Sequence, residues 1–89
     1  MARALFAIHV EDYATWRRTY DERHEARVRA GLGEARVYQD VHEPNSVTVV
    51  LEGDLDKLEA YAASAAVNTS YGPAGVIGTP RVTFVDDVT

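Results

Sequence analysis

The chain has 89 residues, of which 46% are hydrophobic and 26% charged, and its formal net charge is −5. A chain of this length buries only about 60 to 65% of its unfolded surface, which predicts a single domain over residues 1–89. The acidic balance argues against nucleic-acid binding, which needs a basic face. No apolar run approaches the roughly 20 residues that span a bilayer. Because there is no cysteine, disulfides and thiolate metal sites are excluded, and we expect a cytoplasmic protein.

The first predicted elements are a strand and a long helix. The strand is Ala4–Val10, a short apolar run with an acidic pair after it. Asp12 can cap the helix, because its carboxylate can accept a hydrogen bond from an unsatisfied backbone amide. The segment Thr15–Ala30 contains neither proline nor glycine, so we expect one helix that ends at Gly31 or Gly33.

A hairpin is predicted next. The segment Glu34–His42 alternates between apolar and polar residues, which indicates a strand. The residues Glu43–Ser46 then supply turn chemistry through a proline and an asparagine. The strand Val47–Gly53 returns antiparallel to the first strand of the hairpin.

A second helix and a fourth strand complete the chain. Asp54 can cap the helix. The predicted inner stripe is Leu55, Leu58, Ala62 and Ala65, with Tyr61 at its margin. Pro73–Pro80 is predicted to be a connector that docks through Val76 and Ile77, and Arg81–Val85 to be the last strand.

This order, β-α-β-β-α-β, is typical of the ferredoxin-like α+β fold, in which an antiparallel sheet carries both helices on one face. The residues predicted to lie under the helices are Phe6, Ile8, Val10, Val37, Val41, Val49, Leu51, Val82 and Phe84. The residues predicted on the open face are Leu5, Ala7, His9, Arg36, Tyr38, Asp40, Val50, Thr83 and Val85. This open face would expose apolar as well as polar side chains, which predicts that another protein covers it. The simplest such partner is a second copy of the chain.

Several local features together resemble one known group of proteins. They are the Asp12-Tyr13 pair and Trp16 after the first strand, the helix through Tyr20 and His24 to Gly31, the Val37-Tyr38 strand, the Pro44-Asn45 turn and Ala74-Gly75-Val76 before Pro80. With this topology, the chain resembles the dimeric α/β-barrel superfamily, in particular its small antibiotic-biosynthesis-monooxygenase-like and cyclase-like members.

The resemblance implies that two sheets pack face to face into a shared barrel, with a small-molecule cavity between sheet and helices in each subunit. The superfamily includes cofactor-free monooxygenases, cyclases, lactone isomerases and heme-degrading enzymes, so the fold alone does not select a reaction. The heme branch needs an axial histidine near the end of the second helix, and this sequence has none there.

The candidate site lies on the first predicted helix. On a helical wheel, one stripe collects Tyr13, Trp16, Tyr20, His24 and Arg27. His24 is the candidate general acid or base, because histidine can both accept and donate a proton near neutral pH. Tyr20 could polarise a carbonyl, and Arg27 could pair with an enolate or carboxylate. Alternatively, the stripe is a bulky core whose polar tips satisfy one another or reach water.

Other residues complete the expected substrate surface. Those expected to line a cavity are Phe6, Ile8, Tyr13, Trp16, Tyr61, Asn68 and Tyr71. His9 and Tyr38 fall on the open face by parity, where they would lie in a dimer interface; a different register would bring them into the cavity. The three histidines share no compact ligand spacing, so no metal site is predicted.

The preferred interpretation is a homodimeric enzyme without a cofactor. It would cyclise or isomerise a small carbonyl or aromatic metabolite, such as a polyketide, by acid/base catalysis. Three alternatives stay open: a cofactor-free monooxygenase of an aromatic metabolite, a non-catalytic ligand-binding or accessory dimer, and a structural dimer with a filled core.

Overall fold

A computed structural model describes residues 1–64 and 75–89, without the side chains of residues 34 and 35. Its elements are β1 (Ala2–Val10), α1 (Tyr13–Glu22), α2 (His24–Arg29), β2 (Gly33–Gln39), β3 (Ser46–Gly53), α3 (Leu55–Ala63) and β4 (Val76–Asp86). The predicted sites Asn68 and Tyr71, and Ala65 of the predicted second helix, lie outside the described residues.

The four strands form one sheet in the order β2-β3-β1-β4, and every neighbouring pair is antiparallel. Phe6 in the central strand β1 lies opposite Val49 of β3 and Val82 of β4. This arrangement confirms the predicted ferredoxin-like α+β fold.

The core lies between one face of the sheet and the helices. Its buried residues are Ala4, Phe6, Ile8, Val10, Trp16, Leu32, Val47, Val49, Leu51 and Leu58. Alternate residues of β1 and β3 belong to this cluster, as expected for a sheet with one covered face. The inner stripe of α3 begins at Leu58, because Leu55 is 48% exposed.

The face assignment is correct for most positions and wrong for Val41. Val37 and Val82 pack against the core, whereas Val41 is 89% exposed. The cause is Asp40, whose side-chain Oδ1 accepts hydrogen bonds from the backbone amides of His42 and Glu43. This local turn ends β2 at Gln39, so Val41 lies beyond the sheet. Phe84 is also 37% exposed although its parity is that of the core face.

The single long helix predicted over Thr15–Ala30 is instead two helices that meet at Arg23. The Arg23 backbone has φ −92° and ψ 8°, and its amide donates to the Tyr20 carbonyl at 3.1 Å. That bond spans three residues instead of the four of an α-helix. A regular turn then restarts with the bond from the Arg27 amide to the Arg23 carbonyl.

The last strand begins five residues earlier than predicted. Val76 and Ile77 pair with β1, so part of the expected connector is strand. The pairing register of β1 with β4 shifts between Ala7 and His9 of β1. Gly78 of β4, opposite this region, has φ +72°. Glycine adopts this left-handed conformation without the steric cost that a side chain adds, so the chain can form a bulge and continue as an edge strand.

No helix within residues 1–64 and 75–89 is long and apolar enough to cross a membrane. The cytoplasmic location stays a prediction.

Candidate functional site

The first turn of α1 is held by two side chains. Asp12, the N-cap residue, accepts hydrogen bonds from the Thr15 amide at 3.0 Å and the Thr15 hydroxyl at 2.9 Å. Asn45, from the connection between β2 and β3, accepts a hydrogen bond from the Tyr13 amide at 2.9 Å. The local sequence indicated the capping role of Asp12 but only a turn at Asn45, because the hydrogen-bond partners of the Asn45 side chain are distant in sequence.

Three aromatic rings form a row along α1. The ring centroids of Tyr13 and Trp16 lie 5.8 Å apart, and those of Trp16 and Tyr20 lie 5.1 Å apart with an interplanar angle of 27°. Spacings of three and four residues place these side chains on one face of the helix. Trp16 is 5% exposed, and both tyrosines are partly buried against the core. The row therefore lies between the helical backbone and the sheet.

Arg27 of α2 extends this row across the helix break. Its guanidinium carbon lies 3.7 Å from the centroid of the Tyr20 ring, and its Nη1 donates to the Tyr20 carbonyl at 2.9 Å. The side chain is only 2% exposed. A desolvated cation over an aromatic face gains about 2 kcal/mol, and the Tyr20 carbonyl adds a charge-assisted hydrogen bond.

Arg17 joins the same cluster from the solvent side, a role that the sequence pattern did not indicate. Its guanidinium carbon lies 5.6 Å from the centroid of the Tyr20 ring. Its Nη1 donates to the Tyr13 hydroxyl at 3.2 Å, and its Nε donates to Asp21 Oδ1 at 3.0 Å. These bonds to the Tyr13 hydroxyl and then to Asp21 raise the pKa of Arg17. A spacing of four residues along a helix explains the ion pair of Arg17 and Asp21, whereas the contact of Arg17 with the Tyr13 hydroxyl depends on how the rings pack.

The predicted catalytic residues do not all share this row. Tyr20 and Arg27 are in direct contact, but His24 is exposed as the first residue of α2. The break at Arg23 interrupts the helical repeat that placed His24 in the same stripe. Its role as an acid or base stays a prediction.

The remaining predicted site residues are divided between the two faces of the sheet. Phe6 and Ile8 are buried on the helix side, and Tyr61 of α3 packs partly buried against the same core. His9 is exposed opposite Ser46 and Ile77, and Tyr38 is 54% exposed. Among the residues that the structure describes, no group of three or more histidine, aspartate or glutamate side chains is arranged to hold a metal ion.

No protein-family model matches the sequence, and no curated protein matches it. Solved structures do match. A Bordetella bronchiseptica protein with the provisional name antibiotic biosynthesis monooxygenase has a TM-score of 0.82 at 16% identity, over 99% of this chain and 97% of that chain. A Deinococcus radiodurans protein with the same provisional name has a TM-score of 0.75 at 14% identity, over 100% and 94% of the two chains. A third, from Nitrosomonas europaea, has a TM-score of 0.73 at 12% identity, over 100% of both chains.

At such low sequence identities, the structural similarity shows a shared fold and does not by itself show a shared function. The chain has the ferredoxin-like α+β fold of the antibiotic biosynthesis monooxygenase-like proteins, and it matches them over nearly their whole length. The resemblance predicted from the sequence is confirmed at this level.

The Asp12 cap makes the stability of the fold depend on pH. Its hydrogen bonds from the Thr15 amide and hydroxyl lower the pKa of Asp12. A pKa that is lower in the folded state stabilises the fold fully above the ordinary aspartate pKa of about 3.9, and this contribution is lost as the pH falls through the folded pKa. We therefore expect the wild type to lose stability more steeply below about pH 4 than Asp12→Asn, whose amide does not titrate.

Urea unfolding at a series of pH values, followed by Trp16 fluorescence, measures this difference. Asp54→Asn is the matched control, because Asp54 is the N-cap of α3 and, in the described part of the chain, makes no side-chain capping bond. The free energy of unfolding of Asp54→Asn should change with pH in parallel with that of the wild type. Parallel profiles for Asp12→Asn and the wild type would contradict the proposed origin of the pH dependence.

Proposed function

We propose that the chain is a small-molecule enzyme that needs no cofactor, and that its substrate is a small, largely apolar carbonyl or aromatic compound. The substrate lies against the row formed by Tyr13, Trp16 and Tyr20. The reaction begins with removal of a proton from a carbon next to a carbonyl group. The resulting anion then attacks a second carbonyl in a cyclisation, or takes up a proton at another atom in an isomerisation.

The buried charge of Arg27 is the observation that carries this proposal. Arginine stays protonated under physiological conditions, and the Arg27 side chain is 2% exposed beside the Tyr20 ring. A unit charge about 4 Å from a developing anion, at an effective dielectric constant of about 20, contributes about 4 kcal/mol. That corresponds to roughly three orders of magnitude in rate if it acts only in the transition state.

Tyr20 and His24 have separate roles in the proposed reaction. The Tyr20 ring is held between Trp16 and Arg27, and its hydroxyl donates a hydrogen bond to the substrate oxygen on which the charge develops. His24 accepts the proton from carbon and returns it to the product or to solvent, since it is exposed at the start of α2. Phe6 and Ile8 belong to the buried core against which Tyr13 and Tyr20 pack, and they supply the apolar surface for the substrate.

A second candidate is monooxygenation, and the names of the structurally similar proteins favour it. Its first step is the same deprotonation. The carbanion then reacts with molecular oxygen, so that a methylene group and one molecule of oxygen become a carbonyl group and water. Molecular oxygen is the oxidant, and no electron donor beyond the substrate is required.

Proton exchange at carbon tests the shared first step. We expect the wild type to accelerate deuterium uptake from heavy water into enolisable aromatic ketones, with β-tetralone as the first member of the set, measured by NMR. Tyr20→Phe and His24→Ala should each slow the catalysed exchange about 100-fold, the usual scale of a lost acid or base. The control is His42→Ala, because His42 is exposed in the β2–β3 connection and should leave the rate unchanged.

The oxygen dependence of product formation then separates the two reactions. Full turnover under strict anaerobiosis supports cyclisation or isomerisation, whereas oxygen uptake in proportion to product supports monooxygenation. If the wild type exchanges none of the ketones faster than buffer, the enzymatic proposal is wrong and a ligand-binding or accessory role is favoured.

The open face of the sheet supports a further part of the proposal, a homodimer. In β1 and β3, Leu5 and Val50 lie opposite each other and are only half-buried. Around them, Tyr38 is 54%, Ile77 53% and Val85 38% exposed. A second copy packed on this face would remove these apolar surfaces from water.

Sedimentation measures the dimer directly. We expect the wild type to sediment at about twice the 9.8 kDa chain mass, and Val50→Glu to sediment as a monomer, because a carboxylate would be buried in the interface. The Val50→Glu monomer should still fold, since Arg36 lies beside Val50 in β2. Val28→Glu, which changes an exposed valine of α2, should remain dimeric. A monomeric wild type at micromolar concentration would contradict the shared barrel.

A further inference from the structure

We propose that Asn45 is a positioning residue for the aromatic site, because it joins the connection between β2 and β3 to the start of α1. Three hydrogen bonds carry the inference. Asn45 Oδ1 accepts from the Tyr13 amide at 2.9 Å, its Nδ2 donates to the Glu11 carbonyl at 3.2 Å, and its backbone carbonyl accepts from the Val10 amide at 2.9 Å.

These bonds hold the chain on both sides of the N-cap residue. The Tyr13 amide is one of the first amides of α1, which have no acceptor within their own helix. Asn45 supplies that acceptor from 32 residues away in the sequence. On the other side, the Glu11 amide donates to the Gly75 carbonyl at 2.9 Å. The junction between β1 and α1 is therefore fixed to two other parts of the chain.

The position of this junction determines where the row of rings begins. Tyr13 is the first residue of α1, and its ring contacts Trp16, which contacts Tyr20. A helix whose first turn is released can shift or rotate, and a misplacement of about 1 Å at a catalytic site can cost about 100-fold in rate. The catalytic consequence rests on the proposed function, whereas the effect on the rings does not.

Gln39 supplies a matched control within the same part of the fold. Its Nε2 donates to the Pro44 carbonyl at 3.2 Å, a bond between β2 and the connection that follows it. Gln39→Ala removes this support from the connection but leaves the bonds of Asn45 to Val10, Glu11 and Tyr13 in place. Any effect specific to Asn45 therefore reflects its hold on the β1–α1 junction.

The environment of Trp16 provides the first readout, because it is the only tryptophan of the chain. Fluorescence and near-ultraviolet circular dichroism are measured where urea titrations show each variant to be fully folded. Asn45→Ala should shift the Trp16 emission to longer wavelength, increase its quenching by acrylamide and weaken its near-ultraviolet signal. Gln39→Ala should match the wild type. If Asn45→Ala has wild-type spectra, Asn45 supports only its own turn and the proposal is wrong.

A second variant and a measurement on the wild type keep the proposal testable if Asn45→Ala does not fold. Asn45→Asp retains the acceptor for the Tyr13 amide but loses the donor to the Glu11 carbonyl, so its Trp16 spectra should show a smaller change. In the wild type, the Tyr13 amide should exchange with solvent more slowly than an unstructured amide. Fast exchange of this amide would overturn the proposal.

Catalysis is the last readout and distinguishes positioning from stability. In the exchange assay with β-tetralone, Asn45→Ala should lower kcat by about 10- to 100-fold with little change in KM, whereas Gln39→Ala should change neither. If the wild type has no activity, the proposed function fails while the spectra still decide the role of Asn45. If the wild type is active and Asn45→Ala matches it in kcat and spectra, only the role of Asn45 is rejected.

Discussion

Arg27 buries a guanidinium inside a domain of 89 residues, and a buried cation is tolerated only where polar or polarisable groups replace its water. Tyr20 provides two such groups, the face of its ring at 3.7 Å and its backbone carbonyl at 2.9 Å. In a continuous helix this carbonyl would accept the amide four residues later. Instead α1 ends, and the carbonyl accepts from Arg23 and Arg27. The break at Arg23, the burial of Arg27 and the stacking of Tyr20 on Trp16 therefore belong to one arrangement.

The same arrangement joins the fold to the proposed chemistry. Asp12 and Asn45 hold the first turn of α1, and Arg27 holds its last turn from α2. The row of rings between these points is consequently held at both of its ends. Such fixed aromatic and cationic groups suit a reaction whose transition state develops negative charge, because they need little reorganisation when the charge appears.

Local patterns were enough to predict most of the fold. The apolar runs Ala4–Val10 and Val47–Gly53 correspond closely to β1 and β3, because alternation along a strand reflects its one buried face. The helix break could not be predicted, since no glycine or proline marks Arg23 and the break accompanies a tertiary contact, the hydrogen bond from the buried Arg27 side chain to the Tyr20 carbonyl. The early start of β4 depends on pairing with β1, and the role of Asn45 depends on contacts with Glu11 and Tyr13 more than thirty residues away. At the site, helical spacing correctly grouped Tyr13, Trp16 and Tyr20 on one face. It also predicted His24 on that face, but His24 follows the break and is exposed.

The contact between Arg27 and Tyr20 can be observed directly by NMR. Protons above an aromatic ring are shifted upfield, so the guanidinium protons of Arg27 should be upfield of those of exposed arginines and should exchange slowly with water. Arg29 on the same helix provides the internal comparison, because its side chain is 79% exposed. In Tyr20→Leu the upfield shift of the Arg27 protons should disappear. If the Arg27 signals in the wild type coincide with those of Arg29 and exchange as fast, the guanidinium is not buried on Tyr20 and the account of the site is wrong.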